Sequence, residues 1–311
     1  MQRNHPIGDA DALARRNSGI ASGGIGLLNR KPWNSSQRAW CRYCVKLGEV
    51  FVEGHIKVDG PVDEVFRVAT SLATAVSNTT RAGFHLFKSH SRSADRKAIE
   101  YHYDVSNDFY RLLLDPGMVY SCAYYRDEAD TLEQAQVNKL DHILNKLMVK
   151  PGERLLDIGC GWGSLILCAA GRYGAIAHGI TTNDADSRWT GLGAGEFIDR
   201  YVLPEGELPH ISLVQREMAL ARLEVSDVES LRRHYARTCD AWSHNLEAIR
   251  DRGCEIAGGK RYRIWQIYLA GCAYGFANGW MNLYQLLACK SENAGARPLP
   301  MTREYMCRQL A

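Results

Sequence analysis

Apolar positions along the chain change period several times, and each change predicts an element. From Trp40, WCRYCVKLGEVFVEGHIKVDGP gives an apolar run, a glycine and alternation through Phe51, Ile56 and Val58 that stops at Pro61; VDEVFRVATSLATAV then takes helical spacing. In DVSNDFYRLLLD a helix is predicted to start at Ser106, with Asp108 at the positive end of its dipole and Pro116 closing it. A second helix is predicted over TLEQAQVNKLDHILNKLMV. There Thr131 can cap, Gln134 stands at capping-box spacing, and Leu132, Ala135, Val137, Leu140, Ile143, Leu144 and Leu147 trace one apolar face. PGERLLDIGCGWGSLILCAAGRYGAIAHGIT then reads as a turn, a strand over 154–158, a glycine-rich turn, a helix and a second strand over 175–181. This is a β-α-β unit, whose crossover should be right-handed.

Beyond Trp189 the pattern reads as a proline-punctuated loop followed by helices, as far as Gly253. No formal charge occurs from Ile264 to Cys289, a length that would cross a bilayer core. Gln266, Asn278, Asn282 and Gln285 interrupt that run, and Gly271, Gly275 and Gly279 punctuate it, with Gly259 just upstream. A buried helix, a turn and then a strand are therefore expected. Residues 1–33 show no sustained period and are expected to form a disordered tail; residues 34–95 read as a helical lead-in.

Composition narrows the function classes. With 311 residues and 46% hydrophobic content the chain can bury one large core, alone or with a smaller helical partner. A net charge of +3, with bases scattered among acids, argues against nucleic acid as a partner. Ten cysteines behind a polar amino-terminal stretch without an apolar export core point to reduced thiols in a cytoplasmic setting. Cys41 and Cys44 form one CxxC, but without a second Cys/His pair nearby they read as two thiols on a helix, and no metal is expected.

Gly159, Gly161 and Gly163 in LLDIGCGWGS let the backbone bend sharply between strand and helix and bring amides close to a ligand. A dinucleotide site would place the third glycine one residue later and an acid near the end of the second strand, which here reads GITT. A phosphate-cradling loop would need Gly-Lys-Ser/Thr. A class I methyltransferase turn fits, with Asp157 helping to hold it; so does a plain structural turn.

Seven stretches in order, YHYDVSNDFYRLLLD, MVYSCAYY, TLEQAQVNKLDHILNKL, LLDIGCGWGS, FIDRYVLPEGELP, HYARTCDAW and YLAGCAYGF, closely resemble the cyclopropane-fatty-acyl-phospholipid synthase and mycolic acid cyclopropane synthase family. The resemblance runs from about Leu47 to Gln285. It implies an α/β, Rossmann-like methyltransferase fold over residues 96–311 and S-adenosylmethionine as methyl donor. The implied reaction adds the methyl group to the cis double bond of a phospholipid acyl chain, with a bound bicarbonate ion taking the proton released on ring closure. Carried over by motif, Tyr120, Ser121, Asp157, Gly159, Gly161, Gly163 and Thr181 fall at the cofactor. Cys122 and Tyr235 fall at the bicarbonate site, together with His178 and a backbone contact from Ile180 in one register.

The stretch AHGITTNDADSRW is where the resemblance breaks. It begins like the end of the family's second strand and ends like the stretch before FIDRYVLP, with no counterpart to the third, fourth and fifth strand regions between. An in-frame deletion near residues 178–187 is expected, leaving a truncated fold with a reduced sheet flanked by helices. The first strand is expected to pair with the hybrid strand and with WMNLYQLLA. The family's bicarbonate-binding glutamate and adenine loop fall in the missing part, which argues for impaired activity. A non-catalytic remnant that binds a lipid surface or a partner is the alternative, and a related methyltransferase with another substrate is the third reading. Arg92, Arg96 and Lys97 would suit peripheral contact at the inner face of a membrane, with monomer and homodimer both open.

Overall fold

The structure, a computed structural model, describes residues 47–58, 60–68, 106–180, 192–193, 201–202, 207–290 and 299–307. The expected tail, Cys41 and Cys44, most of the lead-in, Arg92, Arg96, Lys97, Thr181 and the rest of the expected junction lie outside these residues. At the start of the described part, residues 47–52 are helical and 53–56 turn, so the alternation through Phe51, Ile56 and Val58 is not a strand. Residues 62–68 are helical, as their spacing predicts.

Helix α1 spans Asn107–Leu113, and the Ser106 side chain accepts from the Phe109 amide at 3.3 Å. It stops at Leu114, which turns extended, and Asp115, the residue directly ahead of Pro116, is kept from continuing the helix. Helix α2, Leu132–Lys146, is capped by Thr131, whose hydroxyl accepts from the Gln134 amide at 3.2 Å. Strand β1 (Arg154–Ile158), helix α3 (Ser164–Tyr173) and strand β2 (Ile176–Ile180) form the expected unit, with β1 and β2 parallel and Leu156 opposite His178. Two-residue strands β3 (Leu192–Gly193) and β4 (Glu207–Leu208) pair antiparallel.

Helix α4 spans Ile211–Leu220 and strand β5 spans Leu223–Ser230; helices α5 (Arg232–Ala248), α6 (Arg250–Ala257) and α7 (Gly259–Ala277) follow, then strand β6 (Tyr284–Lys290) and a 3-10 turn, Arg303–Cys307. The uncharged run from Ile264 thus divides into helix, turn and strand. Among the described residues no helix is long and apolar enough to cross a membrane.

Two expectations are corrected. β6 pairs antiparallel with β5, not with β1, so the described strands make three two-stranded sheets in place of one small sheet. Strand β5 itself lies where a loop followed by helices is expected. Its pattern misleads because Asp227 and Glu229 are turned inward, against cations on α2, and a half-buried strand with charged inward positions lacks the usual apolar alternation.

Two larger clusters hold the elements. Trp242 and Leu246 on α5, Tyr262, Trp265 and Leu269 on α7, and Phe109, Tyr110 and Leu113 on α1 form one core at three- and four-residue spacings. Leu144 of α2 packs with Cys168, Ala169 and Tyr173 of α3 in the other. Besides Leu144 and Ala135, the buried residues of α2 are polar: Gln136, Asn138, Lys139, Asp141, His142 and Lys146, whereas Val137 and Leu147, expected inside, are 39% and 40% exposed. Two of these polar groups meet a full set of partners. Lys146 donates to Asp227 Oδ2 at 2.9 Å and Glu229 Oε2 at 2.6 Å, and His142 lies between Glu229 Oε2 at 2.7 Å and the Met306 carbonyl at 3.0 Å. The face of the β1–β2 pair turned away from α3 is uncovered among the described residues: Leu156, Ile158, Ile176 and Ile180 are all exposed, Ile158 at 74%.

Candidate functional site

The segment between α1 and α2 is pinned at both ends. Asp115, buried, accepts from the amides of Gly117 at 2.8 Å and Val119 at 3.1 Å, which opposes the rise of its carboxyl that burial causes. Gln136 of α2 donates to the carbonyls of Val119 at 3.2 Å and Ser121 at 3.0 Å. Ala123 donates its amide to Thr238 Oγ1 of α5 at 3.1 Å. Residues 119–123 are therefore an extended rail between α2 and α5 that presents Tyr120, Ser121 and Cys122.

The glycine turn docks beside that rail, on α1 and on the Asp115–Gly117 turn that leads into it. Ser164 donates its hydroxyl to the Gly117 carbonyl, Trp162 donates from Nε1 to Asn107 Oδ1 at 3.2 Å, and its ring lies 5.2 Å from that of Tyr110. Gly159 and Gly161 have φ of 87° and 54°, and a Cβ built on either would meet open space. They leave a cradle into which a ligand can approach the backbone closely. The amides of Gly159 and Cys160 both donate to the Ile180 carbonyl, at 2.6 and 3.1 Å, which closes the turn onto the end of β2.

On the far side of the rail, Tyr120 lies 5.4 Å from Tyr110, 5.1 Å from Trp242 and 6.0 Å from Trp265, between ring centroids. Its hydroxyl reaches that of Tyr268, whose phenol burial pushes well up amid Cys272, Tyr235 and Cys239. Tyr235 packs on Phe276 at 4.8 Å and Trp242 at 6.1 Å. Cys122 is buried, donates to the Ala123 carbonyl at 3.2 Å and lies 3.9 Å from the Leu231 carbonyl at the start of α5. Burial pushes its thiol up to about 12 despite the nearby Lys139 charge, so at neutral pH it is a donor and not a nucleophile.

Of the residues singled out by sequence, the structure brings Tyr120 and Tyr235 to one aromatic cluster, turns the Cys122 thiol to the Ala123 and Leu231 carbonyls, sets Ser121 against Lys139, and places Asp157 and the three glycines at the end of β1. His178 is placed elsewhere, exposed on β2, and Ile180 spends its carbonyl on the glycine turn. Lys139 was missed by sequence reasoning. It is 8% exposed, donates to Ser121 Oγ at 2.9 Å, and is drawn down to about 8 by burial against the favourable charges of Asp115, Cys122 and Asp157. The signal was present: a lysine at the same face position as Ala135 and His142 of an otherwise amphipathic helix.

Comparison with known proteins bears on this arrangement. The family model for mycolic acid cyclopropane synthetase matches residues 90–191 and again 176–286, so residues 176–191 fall in both matches. A probable fatty acid methyltransferase of Pseudomonas putida is 38% identical over 341 residues, covering 85% of this chain and 86% of that one. Cyclopropane mycolic acid synthase 1 of Mycobacterium tuberculosis is 28% identical over 276 residues, covering 62% of this chain and 96% of its own. Among solved structures, the cyclopropane synthase MmaA2 of Mycobacterium tuberculosis aligns with a TM-score of 0.56 at 27% identity, covering 62% of this chain and 97% of that one. Mycolic acid cyclopropane synthase CmaA1 complexed with SAH and CTAB aligns with 0.57 at 26%, covering 63% and 98%. The matches take in the rail, the glycine turn, α5 and α7, the same parts that converge in space, and the chain belongs to the mycolic acid cyclopropane synthetase family of S-adenosylmethionine-dependent methyltransferases.

Proposed function

We propose that the chain binds S-adenosylmethionine between the Gly159–Gly163 turn and the Tyr120–Cys122 rail and directs its methyl group to the cis double bond of an unsaturated phospholipid acyl chain. The observation that carries this reading is an open glycine cradle tethered to Gly117, two residues ahead of a rail whose Tyr120 packs in a cluster with Tyr235, Tyr268 and thiols. The cofactor, when bound, supplies an electrophilic methyl group. An alkene is a weak nucleophile, so the residues around it must exclude water and hold it in line. Tyr120, Trp242, Trp265 and Phe276 offer such an apolar wall. An ordinary fatty acyl chain is favoured over a mycolic acid because the relative named a fatty acid methyltransferase covers 85% of the chain, whereas the cyclopropane mycolic acid synthase covers 62%.

Bicarbonate fits less well. Tyr235 lies in the aromatic cluster and the Cys122 thiol turns to the Ala123 carbonyl, while His178 is exposed on β2 and the Ile180 carbonyl already accepts two hydrogen bonds. This division, together with a β1–β2 face that no described residue covers, favours a second reading in which the chain is a binding remnant that retains part of the cofactor site. Both readings include an internal deletion at the junction after β2. Two observations support it: the family model matches residues 176–191 twice, and 85% of this chain is about 264 residues, so the 341-residue alignment leaves roughly 77 positions of the relative unmatched.

Calorimetric titration of the monodisperse protein with S-adenosylmethionine separates the readings from mere ancestry. A second assay then follows transfer of a labelled methyl group to vesicles of a cis-monounsaturated phospholipid. Binding with transfer upholds the enzyme, binding without transfer upholds the remnant, and absence of binding by folded protein overturns both.

A further inference from the structure

Two lysines lie seven residues apart on the same face of α2, both buried, and their surroundings differ. Lys146 has two carboxylates at 2.9 and 2.6 Å. Lys139 has, among the described residues, one hydrogen-bond partner, the neutral Ser121 hydroxyl at 2.9 Å, and no carboxylate within 4.0 Å. An ammonium carries three donors, and burying it with one neutral acceptor is costly unless something else supplies negative charge. Asp115 and Asp157 are close enough to act on it electrostatically, but Asp115 is engaged by the amides of Gly117 and Val119.

We propose that Lys139 binds the carboxylate of the methionine end of the cofactor. The inference rests on the cofactor reading given above. The position suits it: Lys139 touches Ser121 of the rail and faces Asp157, which ends two residues before the Gly159 cradle, so the missing acceptor belongs on the side of the rail where the glycine turn docks. Asp157 completes the recognition of a zwitterion: the ligand carboxylate would accept from the Lys139 ammonium, and the ligand amino group would donate to the Asp157 carboxylate. A free amino-acid end is the one part of the cofactor that carries both charges, and a methyl donor lacking it would leave Lys139 uncompensated. The lowered proton affinity of the Lys139 amine in the ligand-free protein agrees with a charge that awaits its partner.

The test compares two probes on three proteins, wild type, Lys139→Met and Lys139→Gln, by calorimetry. S-Adenosylhomocysteine keeps the amino-acid end; 5′-methylthioadenosine lacks it. The expected result is that either substitution weakens S-adenosylhomocysteine binding about 10- to 100-fold, the range for a hydrogen bond to a charged group, and leaves 5′-methylthioadenosine within about 2-fold. The melting temperature of the ligand-free Lys139→Met protein should be unchanged or higher, because a buried charge without a partner has been removed. Equal weakening of both probes with a lower melting temperature would make Lys139 a structural residue and overturn the proposal, as would unchanged affinity for S-adenosylhomocysteine. Failure of the wild type to bind either probe would overturn the cofactor reading itself, and the proposal with it.

Discussion

Replacing Lys146 by methionine tests the buried ionic network most directly. The Lys146 side chain is 4% exposed and joins Asp227, also 4% exposed, to Glu229, at 27%. Removing it leaves Asp227 with Arg303 at 2.8 Å and Glu229 with the His142 imidazole at 2.7 Å, so Asp227 loses one of two cations and Glu229 loses its lysine. Breaking a buried pair from one side costs about 3–5 kcal/mol, a large part of the roughly 5–15 kcal/mol that holds a domain together. Burial works to raise the Glu229 carboxyl, but hydrogen bonds and charges from His142 and Lys146 bring it from 4.5 down to about 2. A depressed carboxylate stabilises the fold above its unfolded value and loses that contribution as pH falls. About 3 kcal/mol should therefore be present above pH 4.5 and gone by about pH 2. Urea unfolding followed by tryptophan fluorescence reads both effects, since Trp242 and Trp265 are core residues. Lys146→Met should lower unfolding free energy by about 3 kcal/mol or more at pH 7 and narrow the acid-sensitive part, and combining it with Glu229→Gln should cost at least about 1 kcal/mol less than the two losses added. A loss under about 1 kcal/mol, or strict additivity, would refute the reasoning.

Further outcomes follow from single contacts. Thr131→Ala, which removes the cap of α2, should cost about 1 kcal/mol in the same urea assay. Gly159→Ala places a side chain at φ 87° in the cradle, and it should lower S-adenosylhomocysteine affinity more than overall stability, as judged by calorimetry beside thermal melts. His178→Ala, at an exposed position on β2, should leave that affinity within about 2-fold; a larger loss would place the histidine at the cofactor. Ile158→Lys, on the uncovered face, should change stability by no more than about 0.5 kcal/mol and delay concentration-dependent light scattering.

Local signals were legible wherever a short-range rule decides the outcome. Ser106 and Thr131 cap as their side chains allow, Pro116 ends a helix, and the 154–180 unit forms around glycines that only a sharp turn would use. The uncharged run after Ile264 was parsed by its glycines and amides into helix, turn and strand. Long-range pairing was less legible. β5 hid behind Asp227 and Glu229, whose meaning depends on Lys146 and His142 eighty-odd residues away, and β6 returns beside β5 only after three intervening helices, a pairing that no local pattern announces. The candidate site divides the same way. Motif spacing located Tyr120, Cys122 and the glycines, while Lys139 emerged only when its lack of a charged partner could be set beside the full complement of Lys146.

The closure of the glycine turn on β2 has a practical side. Because Gly159 and Cys160 donate to the carbonyl of Ile180 itself, the turn takes its shape from residues up to that point and from its tethers to Asn107 and Gly117. The peptide bond after Ile180 is thus a natural splice point for engineering. A strand-bearing cassette from a longer relative could be inserted there without redrawing the turn, and graded insertions would show how much of a doubly wound sheet a methyl-transfer site needs before it works.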